Sequence, residues 1–190
     1  MDLNIFSNAE LVARLGSSET FVHYAAAREL YRRGRADAEQ AISGWRADPE
    51  IAPLISERAT VGIAVMPERF AKIRALLGEL RLADVPPDQD AEEFEWNPDE
   101  AVHLDILTTR AFGKDGAIAK FLAKFGEGIQ QVEFLTSDVG KVTRLLASRM
   151  NIMPIYPATR SGADGTRVNF FLVSAAEGRK ILIELVGATG

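Results

Sequence analysis

Six residues could do chemistry if one sheet face gathered them: Thr60, His103, Asp105, Gln131, Glu133 and Glu184. Each lies in an apolar run and alternates with a core-type neighbour such as Val61, Leu104, Val132 or Ile183. In a strand, successive side chains point to opposite faces. If Val61, Leu104, Val132 and Ile183 pack under helices, the opposite face carries the six together with Leu182. That face is too polar for a core and reads as the wall of a cleft. Its carboxylates, Asp105, Glu133 and Glu184, are of the type that moves protons in general acid–base chemistry. His103 stands two residues from Asp105, about 7 Å along the strand, which strains any shared ligand set. The plainer reading is also open. Asp105 and Glu184 would then be solvated or paired with Arg167 or another base, and Gln131 would be a hydrogen-bonding wall residue.

Other chemistries are excluded by what the chain lacks. There is no cysteine, hence no disulfide framework, thiolate nucleophile or cysteine-based zinc site. There is no P-loop, no dinucleotide glycine fingerprint after a strand, and no credible Ser-His-Asp arrangement. No run of about 18 apolar residues suggests a membrane span. The amino terminus reads as no signal peptide, so cytoplasm is the expected location. The chain has 190 residues and a net charge of −5, with a marked asymmetry. Residues 1–109 hold 11 basic and 20 acidic side chains, whereas residues 110–180 hold 11 basic and 6 acidic ones. An acidic chain is a poor nucleic-acid binder, since that role needs a basic face to displace counterions. A small-molecule partner is expected instead, with neither nucleic acid nor membrane.

The elements that must position these residues follow from periodicity. Residues 1–57 read as helices over Asn8–Leu15, from Ser17 or Ser18 to near Gly34, and over about Asp37–Ala47. Arg58–Met66 reads as a strand, and Pro67 suits the first turn of the helix that follows. That helix buries Phe70, Ile73, Leu77 and Leu80. Asp84–Glu100 holds eight acids, no base and three prolines, and reads as a solvated loop around a short strand at Glu92–Trp96. Val102–Thr108 is the next strand. Ile118, Phe121, Leu122 and Phe125 form the stripe of a linking helix over 115–125, which Gly126 and Gly128 close. A strand with Gln131 and Glu133 on one face comes next. Asp138 then caps a helix, and strands are expected near Pro154–Pro157, Arg167–Val173 and Lys180–Val186. A turn at Ser161–Gly165 and another at Glu177-Gly178 separate them.

The order β-α-β-β-β thus occurs twice, over about 58–109 and 128–187, behind a helical unit at 1–57. The helix, Gly-Glu-Gly turn and strand of IAKFLAKFGEGIQQVEFL resemble the entry to the second module of methylmalonyl-CoA epimerases. GADGTRVNFFLV…EGRKILIELV resembles their closing hairpin. Those enzymes belong to the vicinal oxygen chelate, or glyoxalase-type, superfamily. The resemblance implies an α+β fold, with paired βαβββ modules forming a half-open barrel around a cleft over 58–187. LVARLGSS…VHYAAARELYRRGRADAEQAI is similar to a single HEAT-type helical repeat, which must dock to bury its apolar face.

Carried over, the family's four metal positions fall on Thr60, Asp105, Gln131 and Glu184, and its second proton-carrying acid aligns with Glu93. Thr60 and Gln131 stand where the family places histidines; Glu184 keeps the expected residue. A hydroxyl and an amide oxygen are weak ligands for cobalt or zinc, and the set suits a hard cation such as Mg²⁺ or Ca²⁺ better. The expectation is therefore a divergent member that binds a small molecule in the cleft without the usual transition metal. His103 and Glu133 would line that cleft. One alternative is a metal-dependent epimerase, lyase or isomerase using Glu184 and Glu93 as catalytic acids. Another is a protein-interaction module working through the amino-terminal helices. A homodimer is compatible with all three.

Overall fold

Strand parity predicts which side of each strand is covered. The computed structural model, which describes residues 3–111, 115–175 and 179–187, covers that side. Val61, Leu104, Val132 and Ile183 are all fully buried. The turn expected at Glu177-Gly178 lies outside the described residues.

Helix α1 (Asn8–Leu15) starts on a reciprocal cap. Ser7 Oγ accepts from the Glu10 N–H at 3.2 Å, and the Glu10 carboxylate accepts from the Ser7 N–H at 2.7 Å. Two donors that a helix start leaves orphaned are thereby satisfied. Helix α2 (Thr20–Ala41) does not stop near Gly34 as the sequence suggests, but runs through it. A Cβ at Gly34 would lie 2.6 Å from Val61 Cγ1, so the glycine serves close approach of helix to strand rather than termination. The third expected helix shrinks to α3 (Ser43–Ala47).

Strand β1 (Ile55–Ala64) is followed by helix α4 (Pro67–Leu76), with Pro67 at its first turn. Phe70 and Ile73 are buried, whereas Leu77 and Leu80 lie beyond the helix end and are half-buried. The acidic stretch is more ordered than its charge implies, because β2 (Ala91–Asp99) spans much of it and pairs antiparallel with β3 (Val102–Thr109). Helix α5 (Ala117–Phe125) buries Ile118, Ala119 and Leu122 but leaves Phe125 exposed, so the expected apolar stripe is one residue shorter. Gly126 ends it at φ +74°, a backbone region open to glycine. Strand β4 (Gly128–Thr136) leads to helix α6 (Val139–Met150), capped by Asp138, whose Oδ1 accepts from the Lys141 N–H at 2.8 Å. The chain closes with β5 (Arg160–Ser161), β6 (Arg167–Ser174) and β7 (Lys180–Gly187).

The sheet runs β2-β3-β1-β4-β7-β6-β5, with β1/β3 and β4/β7 parallel. Parallel neighbours flanked by antiparallel hairpins, with helices in the same chain, make the fold α+β. Residues 154–157 are not a strand. A backbone bond from the Ile155 N–H to the Phe170 carbonyl (2.7 Å) stands there without a ladder, since Pro154 and Pro157 have no N–H to give. A matching bond in the first module joins the Ala83 N–H to the Glu93 carbonyl at 2.9 Å, just before Pro86 and Pro87.

The chain divides into two compact units, Met1–Gly34 with Thr60–Gln130, and Arg35–Ala59 with Gln131–Gly190; β1 and β4 each contribute residues to both. In the first, Phe70 packs at a tilt against Phe94 (centroids 5.0 Å), and His23 and Tyr24 pack against Trp96 at 5.5 and 5.7 Å. In the second, Trp45 meets Phe171 edge-on at 5.6 Å and the Arg46 guanidinium lies over Phe134. There Arg149 also clasps Asp48 at 2.8 Å and Glu50 at 2.7 Å. Among the described residues no helix is long and apolar enough to cross a membrane.

Candidate functional site

In the first unit, parallel pairing sets Val61 beside Leu104 and Gly62 beside Asp105, while Glu95 lies across from Asp105 and Glu93 from Leu107. Paired residues share a face and alternate residues return to it, so Thr60, Asp105, Glu93 and Glu95 look the same way. His103 starts from that face but is buried. Its Nδ1 meets Asn97 Oδ1 at 2.7 Å, its Nε2 meets the Glu100 carbonyl at 3.1 Å, and its ring stands edge-on to Tyr31. Asn97 in turn donates through Nδ2 to Glu95 at 3.1 Å. Both imidazole nitrogens thus face acceptor oxygens at the β2–β3 end of the hairpin, one on Asn97 of β2 and one on Glu100 in the turn. The sequence signal for this was the asparagine six residues upstream, at the turn, which the strand-parity argument does not weigh.

In the second unit, Val132 pairs with Ile183 and Glu133 with Glu184, while Phe170 flanks Glu184 on its other side. Gln131 and Glu184 meet. Gln131 Nε2 donates to Glu184 Oε2 at 2.5 Å, with both side chains less than a tenth exposed. The expected alternative partner, Arg167, instead donates to the Thr159 carbonyl and hydroxyl. Around the pair the same face carries Glu133 and, beside it, apolar side chains. Leu135 and Leu172 are about half exposed, and Phe170 is half-buried against Tyr156, whose ring lies under the Arg160 guanidinium at 4.4 Å. The alternation Val168, Phe170, Leu172 in β6 carried that information.

A buried carboxylate needs a partner, since leaving it uncompensated costs several kcal/mol, roughly. Here a neutral amide is one such partner. A cation held by both side chains would need both to present oxygens, each about 2.0–2.6 Å from the ion. Gln131 instead turns its donor end to Glu184. Among the described residues no three His, Asp or Glu side chains gather as a ligand set. Of the residues at the family's metal positions, Thr60 in one unit and Gln131 in the other offer a hydroxyl and an amide, both weak donors to a transition metal.

No protein-family model matches the sequence, and no curated protein matches it. Solved structures do. A methylmalonyl-CoA epimerase from Mycobacterium tuberculosis is 30% identical, with 72% of this chain and 89% of that one covered at a TM-score of 0.56. A Streptomyces coelicolor methylmalonyl-CoA epimerase variant in complex with 2-nitronate-propionyl-CoA is 26% identical, covering 72% and 96% at 0.57. A methylmalonyl-CoA epimerase in complex with methylmalonyl-CoA and NH4+ is 25% identical, covering 72% and 95% at 0.54. With that identity across nearly the whole of the mycobacterial chain, and with the paired-module fold in common, this protein belongs to the vicinal oxygen chelate, or glyoxalase-like, superfamily.

Proposed function

We propose that this protein binds a small organic molecule against the polar sheet face that carries Glu184, without a transition metal. The observation that carries the reading is the bond from Gln131 Nε2 to Glu184 Oε2. It gives the carboxylate a donor in place of an ion, and the exposed Leu135 and Leu172 beside it offer apolar surface for the body of a ligand. Glu184 then orients the ligand as a hydrogen-bond acceptor.

A second reading is an epimerase, lyase or isomerase, favoured by the likeness to enzymes solved with coenzyme A esters. Under it Glu184 carries a proton to or from the carbon beside a thioester, with Glu93 as the second acid. Its weakness is physical. Such chemistry develops negative charge on an enolate oxygen, and preorganised positive charge at that point is usually a large share of the catalysis. Thr60 and Gln131 supply none.

One experiment separates the two. Protein purified without added metal is analysed by mass spectrometry for cobalt, nickel and zinc. It is then incubated with methylmalonyl-CoA in deuterated water, while propionyl-CoA binding is followed by calorimetry. The first reading expects substoichiometric metal and no deuterium at the substrate's α-carbon. Tight zinc or cobalt, or deuterium uptake that Glu184→Gln abolishes, would establish the second reading in its place.

A further inference from the structure

We propose that the recess beside the end of α2 is a separate binding site, one that takes a free aliphatic amino acid as a zwitterion. The recess has a volume of about 580 Å³, within the range of small-molecule sites, and all of its lining residues lie between positions 35 and 57 of the second unit. It shares no residue with the face that carries Glu184, and its lining precedes position 58, where the paired modules begin in sequence. The last turns of α2 supply Arg35 and Glu39, α3 supplies Arg46, and the start of β1 supplies Glu57.

These four charges balance, but they are not equally available. Arg46 is committed to the fold. Its Nη1 donates to the Ile55 carbonyl at 2.8 Å and its Nη2 to the Ser56 carbonyl at 2.7 Å, and the same head group holds the Glu39 carboxylate at 3.3 Å. Glu39 stands one helical turn from Arg35, a spacing at which opposite charges commonly pair, yet it is drawn to Arg46 instead. Among the described residues, Arg35 keeps one bond, of 3.3 Å from Nη2 to the Glu57 carbonyl, and nothing bonds the Glu57 carboxylate. An exposed guanidinium and an exposed carboxylate, neither neutralised by the other, therefore border one recess. A lone anion would meet repulsion from Glu57, and a lone cation from Arg35. A molecule with both charges on one carbon suits both, its carboxylate accepting from Arg35 and its ammonium donating to Glu57. Ala52 and Pro53, in the 3₁₀ turn of the same wall, give an aliphatic side chain apolar surface to lie against.

The test uses L-leucine with the full-length chain, read by calorimetry and by backbone amide shifts in two-dimensional NMR. Leucine should saturate one site, with the shifts concentrated in residues 35–57. L-Leucinamide keeps the ammonium without the carboxylate, and 4-methylpentanoate keeps the carboxylate without the ammonium. Each should bind roughly tenfold more weakly, as the loss of one charge-assisted bond implies. Arg35→Ala and Glu57→Gln each remove one charge from an exposed position, so the fold should be kept. Each should weaken leucine by the same factor of roughly ten and leave propionyl-CoA calorimetry unchanged. No saturable leucine binding would overturn the proposal. So would shifts that map to Gln131 and Glu184 instead, binding that either variant leaves intact, or a singly charged analogue that binds as tightly as leucine. Neither Arg35 nor Glu57 belongs to the Glu184 face, so the reading of that face can fail while leucine binds here, and the reverse.

Discussion

The two units solve the same problem, polar side chains on a sheet face, in opposite ways. In the first, the imidazole of His103 is folded into the β2–β3 turn, bonded to Asn97 and to the Glu100 carbonyl. Its polarity is spent on backbone and turn, which fixes a hairpin. In the second, the contact runs from side chain to side chain across two strands, Gln131 to Glu184, beside half-exposed leucines. A polar group bonded within its own turn stabilises structure. A carboxylate positioned by a neighbour, with apolar surface beside it, is suited to recognition. On the proposed reading, the difference places ligand recognition in the second unit and scaffolding in the first, and it can be attacked from either side.

The strongest perturbation should come from the covered side of the second unit. Trp45→Ala removes a fully buried indole from Phe171 and should cost about 3–5 kcal/mol. Chemical denaturation would show this as a lower midpoint with a largely unchanged slope. A loss under 1 kcal/mol would mean that the helical extension does not share that core. In the first unit, Gly34→Ala forces a methyl to 2.6 Å from Val61 Cγ1 and should cost about 1–3 kcal/mol. Val61→Ala in the same chain should relieve much of that strain, which a double-mutant cycle measures directly.

At the polar faces the effects should be smaller and should differ in kind. His103→Phe keeps the bulk and loses the ring's hydrogen bonding to the Asn97 and Glu100 oxygens, so about 1–2 kcal/mol of stability should go, with propionyl-CoA binding untouched. If His103→Phe also abolished that binding, the division of labour between the units would be wrong.

The smallest effect is the dependence on pH. The Arg32 guanidinium bonded to Glu29 holds its carboxyl below the ordinary carboxylate range, and Arg149 does the same for Asp48. Both folded-state values lie below the unfolded ones, so the folded chain binds fewer protons in acid. Their stabilisation is complete above roughly pH 4–5 and is lost as pH falls through the lowered values. Glu29→Gln should flatten the acid limb of a melting-temperature profile, and Asp48→Asn should do so separately. Both pairs lie near the surface, so the steps should be slight, and an acid limb unaltered in both variants would remove these groups as its cause.

Much of this was legible in the sequence because burial and parity are local properties. Val61, Leu104, Val132 and Ile183 are buried as their alternation requires. Pro67 opens α4 and Asp138 caps α6, since each acts through its own few residues. What was not legible depended on partners far along the chain. Gly34 looked like a helix stop because its reason, Val61, lies beyond the next helix. The run Pro154–Pro157 looked like a strand by hydrophobicity, but two missing N–H groups outweigh that preference. At the candidate site the residue types were readable and the pairing was not. Glu184 had several plausible bases to choose from, and only the register of β4 on β7 shows Gln131 beside it.

The edge-on contact between Trp45 and Phe171 has a consequence for how the chain reaches this state. The helix carrying Trp45 leaves the ribosome well before its aromatic partner in β6, with a long stretch of chain between them. A contact between such distant residues can form only after a large loop has closed, which slows folding. Until β6 and β7 are made, that indole has no core of its own to enter. It must stay wet, or find a temporary partner. A chain stalled before β6 leaves that indole without its partner, and such a chain should be the species that aggregates or recruits chaperones.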